Sequence, residues 1–303
     1  MKFQFNTYQR RFKQPLHTSH GIWQVREGIV VGLSDGKNIA RGEIAPLSWF
    51  GSETMDEALE FCQDLPEEIS RADIVSIPDS LPACQFALES AWLDLQSDCH
   101  DTTLDNLDSL DFCYLLPTGV EALTAWQKIH NSRQNTTFKW KIGVYPLSEE
   151  MDILRQLLQM LPPKIKLRLD ANGSLDLAQT KRLLSITDSY QNVEFIEQPL
   201  SPKYFTQMLQ LSREHHTPLA LDESVASFAQ LKSIHQQGWQ GIFVIKASIA
   251  GFPNRLRQYC QQHSLDVVFS SVFETDIGRS SVLRLAQKLN HPRALGLGVD
   301  YFV

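Results

Sequence analysis

TFKWKIGVYPLSEEMDILRQLLQMLPPKIKLRLDAN, residues 137–172, reads as one strand–helix–strand unit whose two strands each end on charged side chains. In the first run, 137–142 (TFKWKI), Phe138, Trp140 and Ile142 share one face and Lys139 and Lys141 the other, because successive strand side chains alternate sides. The middle, EEMDILRQLLQML, has the apolar spacing of a half-buried helix. In the second run, 166–171 (KLRLDA), Arg168 and Asp170 share a face with Asn172. Working outward, strand-like runs recur at 193–197 (VEFIE), 218–222 (PLALD), 242–247 (IFVIKA), 266–271 (DVVFSS) and 294–297 (ALGL), and one precedes at 112–116 (FCYLL). Helical patterns such as GRSSVLRLAQKLN separate most of them.

Five of these runs carry Lys141, Asp170, Glu197, Asp222 and Lys246 at or near their ends, at intervals of 29, 27, 25 and 24 residues. Those intervals are the length of a strand plus its helix. Alternating strands and helices in this number predict an α/β protein, a (β/α)7β TIM-like barrel, in which the C-terminal strand ends open into one mouth. A doubly wound open sheet is the rival, but it gathers its site at one switch point rather than at five successive strand ends.

Upstream the pattern changes. Residues 1–50 are β-rich, with GIVVGLSDGKNIARGEIAP forming two alternating runs around Ser34-Asp35-Gly36-Lys37, a hairpin signal. Residues 53–63 and 82–97 have helical spacing, the latter with Phe86, Ala87, Ala91 and Leu95 on one stripe. The polar stretch SDCHDTTLDNLDS marks a boundary, so the expected domains are 1–105, α+β, and 106–303, the barrel.

The chain has 303 residues, 43% of them hydrophobic and 21% charged, with a net charge of −7. That is the composition of a soluble globular protein, and the acidic balance argues against a nucleic-acid surface. No apolar run approaches a membrane span, and MKFQFNTYQRRFKQP is too polar for a signal sequence. Cys62, Cys84, Cys99, Cys113 and Cys260 are odd in number and lack CxxC spacing, as expected of reduced cytoplasmic thiols. The expected partner is a small-molecule carboxylate, and the expected form is a monomer.

Three carboxylates from consecutive strands, Asp170, Glu197 and Asp222, suit Mg²⁺ (or Mn²⁺), with positions left for water or substrate oxygens. The competing reading of each acid alone is a helix cap or a surface charge. A divalent ion beside lysines suits abstraction of a proton α to a carboxylate, because the enediolate that forms is a dianion. The base must be a neutral lysine, and a nearby cation, Lys139 or the metal, favours that form. Lys246 comes from across the barrel as a second base or as a fixed cation.

The set K-x-K, D-x-N, E-x-P, D-E-S and a further lysine on successive strands resembles the enolase superfamily, specifically its muconate-lactonising branch, over nearly the whole chain. A lysine base with Mg²⁺ is that superfamily's device. The resemblance implies that the first domain caps the barrel mouth, and it leaves the extreme C-terminus free to pack back on the cap. It assigns Lys141 as base, Lys246 as the cation over the enediolate, Lys139 as support for the base, and Asp170, Glu197 and Asp222 as metal ligands. Asn172, Ser270 and Ser271 stand where substrate contacts are expected. Arg168 lies one layer deeper, where a structural role and a substrate contact are both open. Cap segments 16–22 and 46–53 would close over the substrate, bringing His20, Trp49 and Phe50 to the pocket unless those aromatics merely pack. The short chain, FSSVFETDIGRSS after the seventh strand and the arginine of LRLDAN resemble the dehydratases of this branch. The alternative is a racemase or epimerase of N-acylamino acids or dipeptides.

Weaker signals yield to blander readings. His215-His216 looks like a solvated turn and Glu89 like a helix-surface or domain-interface residue. LGLGVD falls short of a phosphate loop. No GxSxG elbow is present.

Overall fold

The protein is described by a computed structural model over residues 1–18, 21–97, 110–129, 136–290 and 292–297. His20, Cys99, the expected boundary at 105/106 and the extreme C-terminus lie outside the described residues. The N-terminal part is an antiparallel sheet, β1 (Lys2–Thr18), β2 (Gly21–Ser34) and β3 (Ile39–Ile44), backed by α1 (Met55–Asp64), α2 (Arg71–Val75) and α3 (Pro82–Gln96). The β2–β3 turn closes with Asp35 N donating to Asn38 O, while the Asp35 carboxylate accepts from Lys37 N and Asn38 N. Thr54 and Ser70 start α1 and α2 with capping boxes to Glu57 and Asp73.

The second part is a parallel sheet in sequential order: β4 (Cys113–Leu115), β5 (Thr137–Lys141), β6 (Lys166–Asp170), β7 (Val193–Glu197), β8 (Leu219–Leu221), β9 (Ile242–Ile245) and β10 (Val267–Phe269). Helices alternate with these strands: α4 (Glu121–Ile129), α5 (Leu147–Met160), α6 (Leu177–Thr187), α7 (Phe205–Glu214), α8 (Phe228–Gln236), α9 (Pro253–Gln262) and α10 (Asp276–Leu289). The eighth position is held by two parallel bridges, Phe112 with Leu295 and Ser270 with Gly296, which join β4 to β10 and close the cylinder. Segment 294–297 is thus a strand reduced to its bridging residues.

Parity decides the layers. Phe138, Trp140, Leu167, Leu169, Leu219, Leu221, Phe243 and Ile245 point outward into the core beneath the helices. Phe195, Ala220, Ile242, Val244 and Val268 fill the inside. Among the described strands of the parallel sheet, register slips once: Leu167 pairs with Val193 but Arg168 with Phe195, so Glu194 is a bulge residue. It meets Arg168 there, with Arg168 Nε 2.6 Å from Glu194 Oε2.

One helix departs from expectation. Residues 82–97 were expected to bury a single stripe, yet α3 is buried continuously from Pro82 to Ala91. It is the joint of the molecule: Phe86 belongs to the barrel core, while Ala87, Leu88, Ala91 and Leu95 belong to the core of the N-terminal part. Gly42 permits the close approach on one side, since a Cβ there would stand 2.0 Å from Ala87 O.

Candidate active site

The rim of the barrel collects Lys139, Lys141, Asp170, Glu197, Asp222 and Lys246. Register sets Lys141 beside Asp170 and Asp170 beside Glu197, so three neighbouring strands end at one level. Lys139 Nζ donates to Asp170 Oδ2 at 3.0 Å and to Glu197 Oε1 at 2.8 Å. Lys246 Nζ sits 2.5 Å from both oxygens of Asp222. Lys141 differs from both, having no carboxylate at ion-pair distance among the described residues, although its charge acts on Asp170.

Burial makes these charges interact strongly: Asp170, Glu197 and Asp222 are 4%, 1% and 4% exposed. Burial lowers the tendency of Lys139 to hold its proton, but Asp170 and Glu197 outweigh it and leave its pKa well above the usual lysine value. Burial also opposes ionisation of Asp170, and Lys139 and Lys141 overcome it, giving a lowered pKa. For Glu197, burial and then repulsion from Asp170 push the pKa up to about 7. For Asp222, burial prevails over the opposing Lys246, with Glu223 adding to the rise, and the pKa reaches about 6.

Whether these acids fit a metal turns on geometry and donor chemistry. Among the described residues no three histidine, cysteine or carboxylate groups converge on a common point, because the lysines bridge the acids. The donor set nevertheless fits a hard divalent cation. All three groups are buried oxygen donors on adjacent strands, and beside them Glu223 Oε2 is buried without a hydrogen-bond partner.

Gln198, which sequence reading passed over, holds the rim together. In a left-handed backbone conformation (φ 39°), it accepts from Asp222 N at 3.0 Å and Ser224 N at 3.1 Å, and donates to Ser224 Oγ and Leu200 O at 2.8 Å. The following proline in EQP was its only sequence signal. Asn172 also has positive φ (44°); its backbone N–H caps Asp170 Oδ1 at 3.1 Å and its amide donates to Glu223 Oε1 at 3.2 Å.

Ser270 is half-buried at the β10 end, and Ser271 Oγ donates to Glu274 Oε2 at 2.9 Å. Arg168 stands apart. It is 1% exposed, one layer below Asp170, and donates to Glu194 and to Ala294 O at 2.8 Å, in the barrel floor rather than at the mouth. From the N-terminal part, the 3-10 turn Ser48–Phe50 lies over the rim: the Phe50 ring centroid is 3.7 Å from Lys246 Nζ. Trp49 packs edge-on against Trp23 at 4.8 Å, and Trp23 against Phe273 of the barrel at 5.5 Å. Glu89 proves to be an interface residue, accepting from Asn254 N at the start of α9.

Comparison with known proteins agrees with this architecture. Residues 121–299 match the family model described as enolase C-terminal domain-like, and residues 3–95 match the MenC N-terminal domain. An o-succinylbenzoate synthase of Thermosynechococcus vestitus is 38% identical over 99% of this chain and 93% of its own length. The crystal structure of o-succinylbenzoate synthase from Thermosynechococcus elongatus BP-1, with Mg in the active site, superposes with a TM-score of 0.92 at 37% identity, covering 100% of this chain and 95% of that one. A dipeptide epimerase from Methylococcus capsulatus, complexed with Mg and a dipeptide, shares the fold at 0.82 and 21% identity, over 98% of this chain and 91% of that one. The chain belongs to the enolase superfamily, as a capped (β/α)7β barrel carrying a MenC-type N-terminal domain.

Proposed function

We propose that this enzyme is a Mg²⁺-dependent hydro-lyase that makes o-succinylbenzoate, the dehydration step of menaquinone and phylloquinone biosynthesis. The observation that carries the reading is the rim itself. Lys139 joins Asp170 to Glu197, Lys246 joins Asp222, and Lys141 is left unpaired by any described carboxylate, on a chain 38% identical to an o-succinylbenzoate synthase along its whole length.

Asp170, Glu197 and Asp222 would hold Mg²⁺ (Mn²⁺ as a substitute), which when bound supplies positive charge opposite the substrate carboxylate. Lys141 takes the α-proton of a succinyl-hydroxycyclohexadiene carboxylate and returns it to the departing hydroxyl. Lys246 stands as a fixed cation beside the carbon that develops charge. Lys139 keeps Asp170 and Glu197 from repelling one another and so holds the rim in shape. Loss of water aromatises the ring, so a single base is enough. Arg168 is better cast as a floor residue than as a substrate contact, because Glu194 and Ala294 O engage it. The same reading expects a cytoplasmic monomer.

Appearance of o-succinylbenzoate from the diene, abolished by EDTA and restored by Mg²⁺, tests the reading; equal rates in EDTA would refute the metal. The rival racemase needs Lys141 and Lys246 on opposite faces of an α-carbon, and both lysines are present. In D₂O a racemase exchanges the α-proton of an N-acylamino acid, whereas the dehydratase leaves it unlabelled.

A further inference from the structure

Arg26, on β2, is a buried charge that the reaction above leaves unused. It is 3% exposed. Its Nη1 donates to the carbonyls of Glu27 at 2.8 Å and Pro46 at 2.9 Å, and Pro46 begins the segment that carries Phe50 onto Lys246. The guanidinium lies 5.4 Å from the Trp23 ring centroid. Its other edge, Nε and Nη2, is sealed from water and has no hydrogen-bond partner.

Three carboxylates, Glu43, Glu274 and Glu27, are near enough for their charge to act on Arg26 without forming an ion pair with it, and Glu27 accepts from Gln9 Nε2 at 2.6 Å. Glu43 is spent elsewhere, accepting from Thr275 N and Oγ1, Gly278 N and Tyr8 OH. Glu274 uses Oε2 for Ser271 Oγ and Val272 N, and its Oε1 is buried without a partner. A buried guanidinium with an unmet edge is costly, and native structures normally supply the missing acceptor. Nε–H and one Nη2–H point the same way. They form the side-on fork that accepts a carboxylate with two parallel hydrogen bonds.

We propose that Arg26 is a specificity-determining residue whose free Nε/Nη2 edge receives the distal carboxylate of the substrate's succinyl arm. This rests on the function proposed above, which supplies a dicarboxylate. The ring carboxylate goes to the rim, and the arm then needs a second cation. Lys139 is paired with Asp170 and Glu197, Lys246 with Asp222 and Arg168 with Glu194, while Lys141 has the proton to move. Arg26 has an unmet edge and is tied through Pro46 to the turn over Lys246. Entry of the substrate lifts Phe50 from Lys246, since a ring centroid at 3.7 Å leaves no room for a ligand between them.

The test compares two ligands by calorimetry on Mg²⁺-loaded enzyme: o-succinylbenzoate, and 2-butyrylbenzoate, which keeps the ring carboxylate and ketone but ends in a methyl group. Arg26→Gln should weaken o-succinylbenzoate by roughly 10–100-fold and the butyryl analogue by less than about 2-fold, raising KM with little change in kcat. Arg26→Lys keeps charge without the fork and should recover part of the loss. It also serves alone if Arg26→Gln does not fold, with a loss of about 3–10-fold confined to o-succinylbenzoate. Equal losses on both ligands, or none on either, would overturn the assignment. Wild-type enzyme that forms o-succinylbenzoate while Arg26→Gln discriminates as before refutes Arg26 alone. Wild-type enzyme that does not form it refutes the reaction as well.

Discussion

Lys141 differs from the other two rim lysines in what surrounds it, and its proposed role follows from that difference. Lys139 and Lys246 are each held by carboxylates at 3.0 Å or less, whereas Lys141 has no such partner among the described residues. Lys141→Ala should therefore remove nearly all turnover while far-UV circular dichroism and the melting temperature stay close to wild type. Comparable turnover in that variant would take the base role from Lys141. Its position was legible in sequence because strand parity is strict: FKWKIG can put Lys139 and Lys141 on one face only together. Gln198 was not legible, because its hold on Asp222 and Ser224 depends on a left-handed backbone that no residue type announces. Arg26 was hidden for another reason. Its meaning lies in an unmet edge, and only packed neighbours reveal which donors stay unmet.

At the scale of elements, the cap and barrel are joined through α3 and through the start of α10. Thr275 occupies the N-cap of α10 without making a side-chain cap bond, and Glu43 of β3 takes that place, accepting from Thr275 N at 2.8 Å and Gly278 N at 2.8 Å. A carboxylate at a helix start also meets the positive end of the dipole. Beside it, Gly42 lets β3 lie against the α3 backbone. Gly42→Ala should destabilise the protein by about 1–3 kcal/mol, read as a lowered denaturation midpoint, because the clash is with a carbonyl oxygen that cannot rotate away. An unchanged midpoint would show that α3 can shift. Helical spacing at 82–97 was readable, but its continuous burial was not. Periodicity reports one apolar face, and α3 is covered by two domains whose meeting no local pattern encodes.

For the whole molecule, closure of the barrel depends on charges in its floor. Arg168 reaches Ala294 O, and Arg293 reaches Glu194 at 2.6 Å and Asp266 at 2.6 Å, so this network pins the short segment that bridges β4 to β10. Burial by itself would raise the Glu194 pKa, but Arg168 and Arg293 outweigh it and the pKa is lowered. A depressed carboxylate contributes stability that is present above its unfolded pKa, about 4.3, and is lost as pH falls through the folded value. Glu194→Gln should thus lower the melting temperature at pH 7 and flatten its decline below about pH 4.3. A parallel decline in both proteins would show that Glu194 does not carry the acid sensitivity.

On the function proposed here, Asp170, Glu197 and Asp222 take one divalent ion at the mouth of this cylinder. Anomalous diffraction from crystals soaked in Mn²⁺ tests it most directly. A single strong peak within roughly 2 Å of an oxygen from each of the three is the expected result. A peak bound by other residues, or none at this rim in crystals of active, metal-dependent enzyme, would contradict it.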